Sequence, residues 1–222
     1  MKRLIVFSVI FLSSLQMFAQ EKFPVQLFSS AADKPFIFFI SGDGGMKGFT
    51  LSLCKAIRDR GFTIASLDAR AYFWNKKSPE QTETEIAAYV ADQLKSGNNN
   101  RRWVMVGYSF GADITPFVVN RLPDSLKSRL SQVVLLSPST STDFEVHLSD
   151  MLGIGKKRSM DVIAEINRLG KQPTVLFSGE DETEFPFNQI SLSTYTHQVI
   201  KGGHHFDGKY EDVADKIAGV SR

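Results

Sequence analysis

Residues 103–119 read Trp103-Val104-Met105-Val106-Gly107-Tyr108-Ser109-Phe110-Gly111-Ala112-Asp113-Ile114-Thr115-Pro116-Phe117-Val118-Val119. An apolar run ends in G-x-S-x-G, and a second, helix-like apolar segment begins at once. The pattern is strand, sharp turn, helix, with a serine at the apex. A serine so placed is a candidate nucleophile elbow, its hydroxyl exposed at the carboxyl end of a strand. The glycines two before and two after fit that geometry, because a larger side chain at either would strike the neighbouring strand or helix. The plain alternative is a tight strand-to-helix turn without chemistry.

The same alternation extends in both directions. Pro35–Ile40 reads as a fully buried strand, Met46–Arg60 as a helix stopped by Gly61, and Phe62–Leu67 as the next strand. Ser78 is the expected N-cap of a helix that has Pro79 in its first turn and runs to Lys95. Gly97-Asn98-Asn99-Asn100 reads as a loop. Beyond the elbow come a strand at Gln132–Leu136, a short helix at Ser159–Leu169, strands at Pro173–Phe177 and Thr196–Ile200, and a last helix at Glu211–Ile217. Strands apolar throughout and separated by helices predict a mostly parallel sheet covered on both faces, in three α/β layers. Residues 139–157 are irregular and are the only room for a lid; they are too few for a separate cap domain, so a minimal cap or none is expected.

Composition is that of a globular protein, 42% hydrophobic and 23% charged over 222 residues. The N-terminus stands apart. Met1-Lys2-Arg3 is basic, Leu4–Leu15 is mostly apolar, and Met17-Phe18-Ala19 offers a small-residue cleavage site. The apolar stretch is short for a membrane span, so residues 1–19 are expected to be a cleaved secretory signal, with 20–222 as one domain. The 26 basic residues less Lys2 and Arg3 leave 24 against 24 acidic ones. A net charge of zero removes the electrostatic case for nucleic-acid binding. Cys54, the single cysteine, excludes an internal disulfide and lies among Leu51, Leu53 and Ile57 as a core residue would.

A nucleophilic serine needs a base, and the base needs a partner that holds its tautomer. In open α/β sheets such groups come from loops at the carboxyl ends of strands. Phe177-Ser178-Gly179-Glu180-Asp181-Glu182 follows one strand, and Ile200-Lys201-Gly202-Gly203-His204-His205-Phe206 follows the last. The order Ser, acid, His is the one expected for this architecture. Asp181 is the expected acid, with Glu182 as the alternative. His204 is the expected base, with His205 as the alternative. The glycine-rich turn Ser41-Gly42-Asp43-Gly44-Gly45 is placed to offer backbone N–H groups to an oxyanion: the amide of Asp43, or of Gly44, together with that of Phe110. No phosphate-loop or dinucleotide pattern is present, and neither a cofactor nor a metal is called for. His147 and His197 lie outside any motif.

Ile40-Ser41-Gly42-Asp43-Gly44-Gly45, residues 66–74 (Ser-Leu-Asp-Ala-Arg-Ala-Tyr-Phe-Trp), Val106–Asp113 and Gly202–Asp207 together resemble the bacterial VirJ/AcvB virulence-protein family. The resemblance covers nearly all of the chain beyond the leader. It implies an α/β-hydrolase fold, a periplasmic location and a serine hydrolase of esters. For AcvB-type members the ester is an aminoacylated phospholipid, lysyl-phosphatidylglycerol. It also implies contact with a membrane surface and with secretion-system proteins. A single hydrolase-sized unit is expected, without the extra N-terminal domain of the longer AcvB proteins. Under this reading Asp43, Asp113, Glu180 and Glu182 would put negative charge near a cationic acyl group. Arg70, Lys47 and Lys76 would meet a phosphate, and residues 72–74 would line the site or touch lipid headgroups. Arg70 and Asp113 are the leading substrate-binding candidates. The competing functions are a general carboxylesterase or thioesterase and a non-catalytic periplasmic binding protein.

Overall fold

The computed structural model describes residues 23–31, 33–95, 101–146 and 158–221. The expected signal segment 1–19, the loop at 97–100 and His147 lie outside the described residues. A seven-stranded sheet runs through the molecule. Its strands are β1 (Val25–Phe28), β2 (Phe36–Ile40), β3 (Ile64–Leu67), β4 (Trp103–Tyr108), β5 (Leu130–Leu136), β8 (Thr174–Gly179) and β9 (Tyr195–Ile200), in the spatial order β1-β3-β2-β4-β5-β8-β9. Every pairing is parallel except β1 with β3.

The apolar strands split residue by residue between two cores, as a pleated strand requires. Phe36, Phe38, Ile40, Met105, Val133 and Leu135 face helices α3 (Pro79–Lys95), α4 (Phe110–Arg121) and α6 (Val162–Asn167), where Ile86, Val90, Ile114, Val118 and Ile166 meet them. Ile37, Phe39, Val104, Val106, Val134 and Leu136 face α1 (Gly48–Asp59) and α7 (Tyr210–Val220), against Leu53, Ile57, Val213 and Ile217. Both sheet faces are therefore dry, which explains why these strands lack polar alternation. Cys54 is in the second core; burial pushes its thiol up to about 12, so it behaves as an apolar side chain. Ser78 caps α3 through Gln81 N–H at 3.1 Å.

Departures from the expected elements are local. The short, half-exposed β1 has no apolar run to mark it. Two four-residue helices appear, α2 (Ala69–Tyr72) and α5 (Asp124–Lys127). The helix expected from Ser159 starts only at Val162, because Met160–Asp161 form β7, a two-residue strand paired antiparallel with β6 (Ser141–Thr142). Asp161 then caps α6, accepting from Ala164 N–H at 2.9 Å.

Candidate active site

The candidate site lies at the carboxyl ends of the strands, where the backbone ladder continues one residue past each strand by a single bond. Ser41 N–H donates to Leu67, Ser109 N–H to Leu136, Ser137 N–H to Phe177 and Glu180 N–H to Ile200, at 2.7–3.1 Å. Each chain turns away immediately afterwards. At Ser109 the turn uses φ 55°, ψ −123°, a conformation that costs an L-residue of order 1–3 kcal/mol. The flanking glycines make the crowding tolerable. A Cβ on Gly107 would come within 2.3 Å of Gly111 O, and one on Gly111 within 2.1 Å of Ile40 O.

Ser109 Oγ lies 2.8 Å from His204 Nε2, and His204 Nδ1 lies 2.6 Å from Glu182 Oε1. The three groups form one continuous hydrogen-bonded line. The expected base is therefore the histidine brought to the serine. The expected acid, Asp181, is not the carboxylate that meets it. The reason is the turn after β8. Glu182 N–H closes back on Gly179 O at 3.1 Å, so Glu180 and Asp181 form the exposed corner and Glu182 returns to the strand end. Its second oxygen, Oε2, accepts from Gly179 N–H at 2.7 Å and from Ser137 Oγ at 2.6 Å. Burial alone would raise the Glu182 pKa, but hydrogen bonds from His204, Ser137 and Gly179 outweigh it and hold the carboxyl below its ordinary range.

His205 points elsewhere. Its Nδ1 meets the Tyr108 hydroxyl, its ring stacks on Phe49, and the same hydroxyl donates to the His204 carbonyl at 3.1 Å. This pairing fixes the backbone that carries His204. His197 bonds Ser178 Oγ at 2.8 Å and stacks on Phe187.

Gly42 packs on Ser109: a Cβ there would come 3.3 Å from Ser109 Cβ. The turn carrying Asp43 and Gly44 thus borders Ser109, opposite the start of α4. Phe110 is the first residue of that helix, where backbone N–H groups have no partner within the helix. Arg70 sits on α2 beside the same turn, its Cβ 3.2 Å from where a Cβ on Gly45 would fall. Asp113, expected to face substrate, is instead buried. Its carboxylate oxygens take Ser139 N–H at 2.6 Å and Ser139 Oγ at 2.7 Å. Tyr72 and Phe73 are buried as well, whereas Trp74 is 52% exposed. A cleft of about 470 Å³ opens at His204 and is lined by Asp181, Glu182, Glu184, Phe185, Phe187 and the 137–140 segment. Among the described residues, no lysine or arginine lines it.

The fold is shared with solved enzymes at low identity. A proline iminopeptidase from Mycobacterium smegmatis is 14% identical with a TM-score of 0.62, over 88% of this chain and 92% of that one. Est1E from Butyrivibrio proteoclasticus with ferulic acid bound is 15% identical with a TM-score of 0.60, again over 88% and 92%. A thioesterase domain from the curacin biosynthetic pathway is 12% identical with a TM-score of 0.55, over 88% and 93%. These likenesses establish the α/β-hydrolase fold. No curated protein sequence matches the chain. The family model described as bacterial virulence protein (VirJ) matches residues 33–221, and the chain belongs to that family.

Proposed function

We propose that the protein is a serine hydrolase of carboxylic esters, with Ser109 as nucleophile, His204 as base and Glu182 as its orienting acid. The observation that carries this reading is the unbroken line Ser109 Oγ–His204 Nε2, His204 Nδ1–Glu182 Oε1. Ser109 Oγ attacks the ester carbonyl carbon while Nε2 takes its proton. The carbonyl electron pair moves to oxygen, facing the amides of Phe110 and Asp43. Collapse expels the alkoxide, which takes the proton back from Nε2 and leaves as the alcohol. Water then attacks the acyl-enzyme with His204 again as base, releasing the acid and free Ser109. Glu182 stays ionised throughout and stabilises the imidazolium.

The substrate proposed is an aminoacylated phospholipid such as lysyl-phosphatidylglycerol. Among the described residues, three carboxylates line the cleft beside His204, which suits a cationic acyl group. Exposed Trp74, with Lys76 and Arg70 near it in sequence, suits an anionic headgroup layer. Export to the periplasm through residues 1–19, and contact there with secretion proteins, complete the proposal.

Labelling with a fluorophosphonate tests the nucleophile: wild type should label and Ser109→Ala should not. Equal labelling of the two sinks the assignment. Vesicles of lysyl-phosphatidylglycerol test the substrate through release of free lysine. Turnover of p-nitrophenyl esters without lysine release would make the protein a general carboxylesterase. The N-terminal residue of the protein recovered from the periplasm tests export.

A further inference from the structure

We propose that Asp113 is a positioning residue that ties the Ser137–Ser139 turn to the nucleophile helix, and does so as a neutral carboxylic acid. The proposal rests on the hydrolase reading for its catalytic consequence. Asp113 lies one turn into α4, the helix that begins right after Ser109, and is 5% exposed. Its two carboxyl oxygens are taken by the N–H and the hydroxyl of Ser139. Two residues earlier in the same turn stands Ser137, at φ 50°, whose Oγ donates to Glu182 Oε2. The path closes on itself: Ser109, Asp113, Ser139, Ser137, Glu182, His204 and back to Ser109 Oγ.

The proton follows from counting donors. Ser139 Oγ is 2.7 Å from Asp113 Oδ2 and 3.0 Å from the Ser141 carbonyl. A hydroxyl has one hydrogen, and a carboxylate and a carbonyl both only accept. With Asp113 ionised, one of these contacts has no hydrogen. With a proton on Oδ2, Asp113 donates to Ser139 Oγ, Ser139 donates to Ser141 O, and Oδ1 still accepts Ser139 N–H. Every contact is then made. Burial acts in the same direction and raises the carboxyl to about 7.

The charges around it are few. His204 favours the carboxylate and Asp43 opposes it. Of the elements packed on α4, strands β2, β4, β5 and β6 carry no charged residue. Helices α3 and α6 bring Glu80 and Glu165 to Arg121, two turns away at the far end of α4, and Arg168 joins Glu165. The other charged residues of α3 are Glu83, Glu85, Asp92 and Lys95, and none bonds Asp113.

Asparagine reproduces the neutral acid, its amide N–H₂ replacing the O–H, whereas leucine matches the volume and keeps no bond. In the full chain at pH 6 with p-nitrophenyl acetate, Asp113→Asn should keep kcat within about threefold of wild type. Asp113→Leu should lose about thirtyfold in kcat with KM changed less than about twofold, the scale of two lost hydrogen bonds. Selective ¹³Cγ-aspartate labelling supplies a readout independent of turnover and of the leucine variant's folding. The resonance missing in Asp113→Asn should keep a protonated-acid shift in wild type at pH 5.5 and move only near neutrality. Asparagine as damaging as leucine, or a resonance that titrates with the exposed aspartates, overturns the neutral acid. Leucine equal to wild type overturns the positioning role. A wild type that neither labels with fluorophosphonate nor turns over ester is instead a failure of the hydrolase reading, visible before any Asp113 variant is made.

Discussion

Glu182→Gln is the perturbation that most directly tests the proposed triad. Glu182 Oε2 receives a fixed N–H from Gly179 at 2.7 Å and a rotatable hydroxyl from Ser137 at 2.6 Å. A glutamine N–H₂ in that place would oppose the Gly179 N–H, donor against donor. The amide oxygen therefore stays at Gly179, and the N–H₂ group turns to His204 Nδ1, where Oε1 now lies at 2.6 Å. A donor there requires Nδ1 to accept, so the imidazole proton moves to Nε2. Nε2 then presents N–H to Ser109 Oγ instead of a lone pair, and no base faces the nucleophile. Locking a catalytic histidine in the wrong tautomer costs roughly 10³–10⁴ in kcat, or about 4–5 kcal/mol in barrier. Asp181→Asn neutralises a cleft-lining corner carboxylate that does not bond His204, so turnover of an uncharged p-nitrophenyl ester should stay within about twofold. The assay is p-nitrophenyl ester turnover for both variants at one pH, with thermal melts to confirm folding. If Asp181→Asn shows the larger loss, or Glu182→Gln stays within tenfold of wild type, the assignment of Glu182 is wrong.

Three further outcomes are expected. His204→Ala should abolish fluorophosphonate labelling, whereas His205→Ala, which removes the contacts to Tyr108 and Phe49 and a ring contact with His204, should slow it by about tenfold or less, measured as a labelling rate. Gly111→Ala drives a Cβ to within 2.1 Å of Ile40 O and 2.6 Å of Ser41 O, so it should cost about 3 kcal/mol and lower Tm by roughly 6–12 °C; Gly44→Ala meets nothing within 4 Å and should leave Tm unchanged. The lowered Glu182 pKa gives stability that is present above the unfolded carboxylate value, about 4.3, and is lost as pH falls through the folded value. Melting temperatures across pH 3–6 should therefore fall less steeply for Glu182→Gln than for wild type; equal slopes refute the linkage.

The parallel core and the elbow are legible in the sequence because local signals and tertiary context agree there. Phe36–Ile40 and residues 103–106 and 133–136 are buried on both faces, and unbroken apolar runs announce that directly. β1 is not legible, because an edge strand with two exposed residues carries no such run. The choice between Asp181 and Glu182 is invisible for a different reason. Both are carboxylates in one acidic loop, and what separates them is a backbone bond, Glu182 N–H to Gly179 O, that sends one outward and the other back to the strand. Asp113 misleads in the opposite sense. Four residues past the serine, on the same helix, it looks available to substrate, and only the fold of the 137–139 turn shows that Ser139 covers it. Ser137 has no sequence signal, since its use depends on a left-handed φ at a strand end.

Ser109 and Ser137 share more than that conformation. Each is the first residue beyond its strand, each is pinned by its N–H to a carbonyl of the next strand (Leu136 for Ser109, Phe177 for Ser137), and each then turns with positive φ. The sheet ladder therefore sets the height of both hydroxyls before any side-chain contact forms. Ser109 Oγ goes to His204 and Ser137 Oγ to Glu182, so the two neighbouring strand ends hold His204 from opposite sides. Left-handed backbone at two non-glycine residues costs of order 1–3 kcal/mol each, and the ladder bonds and the packing at Gly107 and Gly111 offset it. Strain of this kind persists where the surroundings over-determine it. Here they do so on both sides of one histidine, and the groups stand within hydrogen-bond distance of one another. For the proposed ester hydrolysis this leaves little reorganisation of protein groups, which is the condition under which fixed dipoles and a held tautomer lower a barrier most.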